Sequence, residues 1–137
     1  MQWPGSPSNQ RTRLVIALNT AELDRYLAED PDGPVVMLNL LRFRPDGGRE
    51  RYLEYIDQFS STGVQARYEV EVLYVGAGGI ALAAEPGQDW DMVALVRYPS
   101  RKTFVDMIQD PDYQRFEHLR AESLVEAVLQ ATTPASA

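Results

Sequence analysis

The chain contains no cysteine. Disulfides, thiolate nucleophiles, iron–sulfur clusters and cysteine-based zinc sites are excluded together. A reducing cytoplasm is the expected location, since such a protein needs no oxidising compartment. There is one histidine, His118, so multi-histidine metal sites are excluded as well and a catalytic imidazole would have no second. Long apolar runs are missing. The N-terminus, MQWPGSPSNQ, carries no signal-peptide core, and nothing approaches membrane-spanning length. Positive charge is also short: 13 Lys and Arg stand against 20 Asp and Glu, a net −7. Arg42, Arg44, Arg49 and Arg51 are interrupted by Asp46 and Glu50, so no basic stripe offers itself to nucleic acid.

What is there fits one domain. A length of 137 residues supports one core, and 45% of the residues are apolar. Residues 1–12 and 133–137 are small, polar or rich in Pro and Gly and are expected to be tails, leaving residues 13–132 as a single domain. Arg13–Leu18 reads as a short strand. Asn19 or Thr20 can cap a helix whose apolar face is Leu23, Tyr26 and Leu27. Val35–Phe43 (VVMLNLLRF) reads as a strand buried on both faces. Residues 49–60 form a helix with Tyr52, Tyr55, Ile56 and Phe59 along one stripe. Tyr68–Val75 alternates as a strand, and Gly76, Gly78 and Gly79 break it. That glycine cluster is a turn, since it lacks the Lys-Ser/Thr pair of a phosphate loop and opens no helix.

A short apolar piece, IALAA, leads to Trp90–Tyr98 as a second doubly apolar strand. A helix follows with Phe104, Met107 and Ile108 on one face. Asp110 caps and Pro111 opens a further short helix carrying Tyr113, Phe116 and Leu119. Val125–Thr132 is the last strand. Without the N-terminal piece the order is strand, helix, strand, strand, helix, strand, the split βαβ plan of a ferredoxin-like α+β domain. The helices cover one face of its antiparallel sheet. Because Val35–Phe43 and Trp90–Tyr98 are apolar on both faces, the other face must be hidden too, and a homodimer joined through that sheet face is expected.

The segments Gly33–Phe43, Tyr52 with Tyr55, Trp90-Asp91, Arg97-Tyr98-Pro99-Ser100, Asp110–Gln114, and the pair His118 and Arg120 resemble the family known as DUF1330, in the dimeric α+β barrel superfamily. The likeness runs from about Leu18 to Pro134, and the helix ahead of Val35 is similar to the longer branch of that family. Here Leu119 separates His118 from Arg120, where the family would have them adjacent. The resemblance implies a dimeric α+β barrel and no particular reaction.

Candidate chemistry centres on Asn39, an amide within an apolar strand, on the same face as Met37, Leu41 and Phe43. A buried amide needs partners: either it points into a cavity and holds a ligand's carbonyl or hydroxyl, or it bonds nearby backbone or a tyrosine. Arg42 and Arg97 lie near the ends of neighbouring strands. Together they can fork onto a carboxylate or enolate, or each can pair with an acid such as Asp91 or Glu54. Arg120 has the same two readings. Tyr52, Tyr55, Tyr98 and Tyr113 can orient or protonate a ligand, or simply fill the core. Trp90 packs and Asp91 caps or pairs. His118 is either a rim residue or an acid–base group, and the resemblance to the barrel superfamily adds a third reading as an axial haem ligand; adjacent Glu117 diverges from it on a helix.

Three readings compete, none of them calling for a metal or cofactor. In the first, a cofactor-independent enzyme takes a small, partly apolar carbonyl or carboxylate compound, with Asn39, Arg97 and His118 as catalytic groups. Arg42, Tyr52, Tyr55, Trp90, Tyr98, Tyr113 and Arg120 would bind the substrate. The second is a binding module with no competent acid or base. A third possibility, a structural homodimer, needs an interior filled by its own side chains. A cavity lined by Asn39 and aromatic hydroxyls separates the first two from the third.

Overall fold

The computed structural model of the chain describes residues 18–135. Helix α1 (Thr20–Glu29) starts where the Asn19 side chain accepts the Glu22 backbone N–H at 3.1 Å. It buries no residue of its own. It is held to the body by Arg101, whose guanidinium lies 4.0 Å over the Tyr26 ring and donates to the Tyr26 carbonyl at 2.8 Å. Strand β1 (Val35–Phe43) follows, then α2 (Gly48–Ser61), which Gly47 introduces in the left-handed region at φ 86. Tyr52 and Tyr55 are its buried aromatics, as their spacing demands. Next come α3 (Val64–Arg67), β2 (Glu71–Ala77) and β3 (Met92–Tyr98). The remaining elements are α4 (Arg101–Gln109), α5 (Pro111–Gln114), α6 (Glu117–Ser123) and β4 (Leu124–Thr132).

The four strands form one antiparallel sheet in the order β2-β3-β1-β4. With the two helical segments between β1 and β2 and between β3 and β4, this is the ferredoxin-like α+β fold. Val35, Met37, Leu41 and Phe43 of β1 turn to the helices and are buried with Tyr52, Tyr55, Phe104, Met107, Tyr113 and Phe116. The rings of Tyr55, Phe59, Tyr113 and Phe116 meet one another edge to face or tilted, with centroids 5.1–6.3 Å apart.

Register decides what lies on the opposite face. Leu38 stands opposite Leu95, which stands opposite Tyr74; Leu40 stands opposite Val93 and Val128. Leu38, Leu40, Val93, Leu95 and Val128 are half-buried and Tyr74 is exposed. Among the described residues the helices pack on the other side of the sheet. The doubly apolar strands therefore leave one apolar face open among the described residues.

Some expectations shift, and one falls largely outside the described residues. The helix expected to carry Tyr113, Phe116 and Leu119 breaks after Gln114, so Tyr113 lies on α5, Leu119 on α6 and Phe116 between them. The strand expected at Tyr68–Val75 begins three residues later, because Val64–Arg67 is helical and Tyr68 closes that turn. Glu69 then takes a left-handed φ of 52, which reverses the chain before β2. Trp90 and Asp91 stand outside β3. The Asp91 carboxylate accepts the Phe43 backbone N–H at 2.8 Å, so it ties the strand entry to β1. The expected strand at Arg13–Leu18, apart from Leu18, and the expected tail 1–12 lie outside the described residues, as do residues 136–137; Leu18 itself is in no strand, and residues 133–135 form no helix or strand.

Candidate active site

A cavity of about 110 Å³ opens between the helix-covered face of the sheet and helices α2, α4 and α5. Asn39 reaches it from β1, Tyr52 and Tyr55 from α2, Tyr98 from the end of β3, Tyr113 from α5 and Arg120 from α6. Each placement follows from local pattern. Alternation puts Asn39 on the Met37–Leu41 side of β1, and the three-residue step between Tyr52 and Tyr55 keeps both rings on one helical face. The Asp110 side chain caps α5 by accepting the Asp112 N–H at 2.8 Å, which turns Tyr113 inward. Apolar walls come from Phe59, Val96, Phe104, Met107, Ile108 and Leu129.

The polar atoms converge. Tyr55 and Tyr113 share a hydroxyl–hydroxyl hydrogen bond of 2.9 Å. Asn39 is 8% exposed, and its amide makes one long bond, donating to the Met37 carbonyl at 3.5 Å. Among the described residues the Tyr52 and Tyr98 hydroxyls have no hydrogen-bond partner, so both remain available to the cavity. Burial pushes the Tyr52 phenol up from 10.0 to about 12, opposed by the Arg120 guanidinium. Burial raises Tyr98 still further, with the Tyr113 and Tyr52 phenols adding to it and Arg120 again opposing. Tyr55 is raised mainly by burial and then by Tyr113; Tyr113 is raised by burial against its bond to Tyr55. All four phenols therefore stay protonated near neutrality, and one permanent cation acts on all four. Such a set donates hydrogen bonds to an oxygen anion and does not accept protons. No carboxylate and no imidazole lines the cavity among the described residues.

Four residues singled out in the sequence lie elsewhere. Arg97 stands on the open face, opposite Val36, and pairs with Glu71 at 3.4 Å. Arg42 is at the other end of β1 on that same face. Its guanidinium reaches the Gly87 and Asp89 carbonyls and, at 3.1 Å, Glu126, and it stacks 4.8 Å from the Trp90 ring. The two arginines cannot share one anion, because the antiparallel register puts them at opposite ends of the sheet. Trp90 is the platform for Arg42 and not a cavity wall. His118 is exposed on α6 and is likewise absent from the cavity lining.

The sequence reading missed Gln65 and Val70 as wall residues. Gln65 sits on α3, in the stretch ahead of β2, and its amide donates to the Val70 carbonyl at 3.3 Å. A single helical turn of four residues has no periodicity to reveal it.

No protein-family model matches the chain, and no curated protein matches its sequence. Solved structures do. The crystal structure of RPA0582, a protein of unknown function from Rhodopseudomonas palustris, is 29% identical with a TM-score of 0.80, over 89% of this chain and 98% of that one. The methylated RPA0582 protein is 31% identical with a TM-score of 0.78, over 88% of this chain and 95% of that one. A hydroxynitrile lyase from Passiflora edulis shares the fold at 12% identity and a TM-score of 0.55, over 78% of this chain and 98% of its own. The fold thus carries different proteins at distant identity, whereas RPA0582 matches in sequence across nearly its whole length. The chain belongs to the family of the RPA0582 protein, a group built on the ferredoxin-like α+β domain.

Proposed function

We propose that the cavity binds a small, partly apolar molecule through a carboxylate or an enolisable carbonyl, and that the protein is a cofactor-independent enzyme acting on it. The observation that carries this reading is the convergence of Asn39, four protonated phenols and Arg120 on one apolar cavity. A volume of about 110 Å³ is close to that of apolar cavities that accept one benzene ring, about 150 Å³. The ligand is therefore of single-ring or short branched size, with its oxygen anion toward Arg120 and its body against Met107, Ile108 and Leu129. The Tyr52 and Tyr98 hydroxyls and the Asn39 amide would donate hydrogen bonds to the ligand's oxygen anion. Arg97, Arg42, Trp90 and His118 have no part in that scheme.

One observation favours a second reading, a binding module without turnover: the wall has no carboxylate or imidazole to take a proton from the substrate. The sequence likeness to DUF1330 is compatible with either. We also infer that the chain is a homodimer joined through the open sheet face. That face has an apolar centre of Leu38, Leu40, Val93, Leu95 and Val128, bounded by the ion pairs Arg97–Glu71 and Arg42–Glu126. An apolar centre with a polar rim is the usual anatomy of a protein interface.

The test is a calorimetric titration with benzoate, phenylacetate and a branched 2-oxo acid, beside the corresponding neutral amides. The acids should bind at least about tenfold more tightly than the amides, and Arg120→Gln should remove that preference. Asn39→Ala should weaken binding with folding retained. Native mass spectrometry of freshly purified protein should show a retained ligand. Equal affinity for acids and amides, or a preference that survives in Arg120→Gln, would sink the reading. Turnover of a bound acid, followed by proton exchange in NMR, separates enzyme from binder.

A further inference from the structure

Residues Val72–Ala84, VLYVGAGGIALAA, form thirteen consecutive uncharged positions in a chain of net charge −7. Their side chains are exposed to an unusual degree: Val72, Leu73, Tyr74 and Val75 are about half exposed, Ile80 is 89% exposed and Leu82 is 94% exposed. Isolated exposed apolar residues are ordinary, but a continuous exposed stretch marks an interaction surface.

The loop between β2 and β3 is not loose at its root. The Gly78 N–H donates to the Asp91 carbonyl at 2.9 Å, and the backbone there passes so close to Trp90 that no larger residue fits. On the return side, Arg42 bonds the Gly87 and Asp89 carbonyls. Arg42 belongs to the open face of the sheet, so the loop is clamped on the side where the apolar face lies. Its tip carries Ile80 and Leu82, the two most exposed large apolar side chains among the described residues.

We propose that residues 79–84 are a dimerisation arm, which lays Ile80 and Leu82 on the open sheet face of a second copy, against Tyr74 and Leu95 of the partner. This rests on the sheet-face dimer inferred above. Three features select a second copy as the occupant. The arm and the surface that receives it are parts of one chain, so a twofold axis buries both arms in one assembly. The stretch is free of charge, so two molecules of net −7 meet where they do not repel. The arm also follows in the chain from Tyr74, which stands opposite Leu95 on the open face, so it starts from the surface it would extend. Arg42, which the sequence left either as an anion holder or as the partner of an acid, becomes the residue that holds the root of the arm.

The experiment is sedimentation velocity of the full chain across a dilution series, with Ile80→Ser/Leu82→Ser and, separately, Leu95→Lys. Both arm residues are solvent-exposed in the monomer, so the double variant retains its fold, as circular dichroism will check. The wild type should be a dimer, and the arm variant should raise the dissociation constant by at least about tenfold. Leu95→Lys should dissociate it further. A dissociation constant unchanged in the arm variant while Leu95→Lys is monomeric overturns the arm and leaves the face-to-face dimer standing. A wild type that is monomeric throughout the series overturns both.

Discussion

The hydroxyls of Tyr55 and Tyr113 lie 2.9 Å apart, joining α2 to α5 across 58 residues of sequence at the back of the cavity. Both rings are buried, so removing one hydroxyl strands the other without water to replace it. Tyr113→Phe and Tyr55→Phe should each lose about 1–3 kcal/mol in urea denaturation. The double variant should lose less than the sum. A strictly additive cycle would show that the bond is not coupled in solution.

Alkaline stability should report the buried phenols. Burial raises Tyr52 from 10.0 to about 12, so the folded state holds that proton more tightly than the unfolded chain does. The stabilisation is intact below about pH 10 and is lost as the pH rises through about 12. Tyr98, Tyr55 and Tyr113 shift in the same direction. Denaturation midpoints should fall steeply in that window, and Tyr52→Phe should make the fall shallower.

Asp110 should act in the opposite pH range. Its carboxylate accepts from the Tyr68 hydroxyl and from the Asp112 N–H, and it pairs with Arg67 at 2.7 Å; these hold it down from 3.8 to about 2. Its contribution is therefore present above about pH 4 and is lost as the pH falls through about 2. Asp110→Asn should lower the thermal midpoint at pH 6 and narrow the gap to the wild type at pH 2. A constant difference across that range would rule out the ion pair as the source.

Gly78 should tolerate no side chain. A Cβ there would stand 1.7 Å from the Trp90 carbonyl oxygen, which belongs to backbone tied through Asp91 to β1. Gly78→Ala should destabilise the β2–β3 connection, whereas Gly79→Ala, with open space around it, should be nearly silent. Thermal melts of the two variants make the comparison.

Much of the site was legible because strands and helices have fixed periods. Alternation placed Asn39 on the helix side of β1, and the spacing of Tyr52 and Tyr55 put both on the buried stripe of α2. The Asp110-Pro111 pair announced the short helix that delivers Tyr113. The arginines were not legible in the same way. Arg42 and Arg97 are near strand ends in the sequence, but which ends coincide depends on pairing register, and the antiparallel register separates them. His118 and Arg120 are two residues apart on one helix, and that step of two alone points them to different surroundings: solvent for His118, the cavity for Arg120.

By itself the sequence determined the order of the four sheet strands and of the longer helices, the fold class and the existence of a sheet apolar on both sides, since these follow from local periodicity and from which residues can leave water. Only the tertiary structure decided which polar groups meet. Convergence of Asn39, Tyr98, Tyr113 and Arg120 joins residues from four separate elements, and the β2–β3 loop is held by Arg42 reaching across to the Gly87 carbonyl, 45 residues away. Contacts of that range are set by packing and register, which no local pattern encodes.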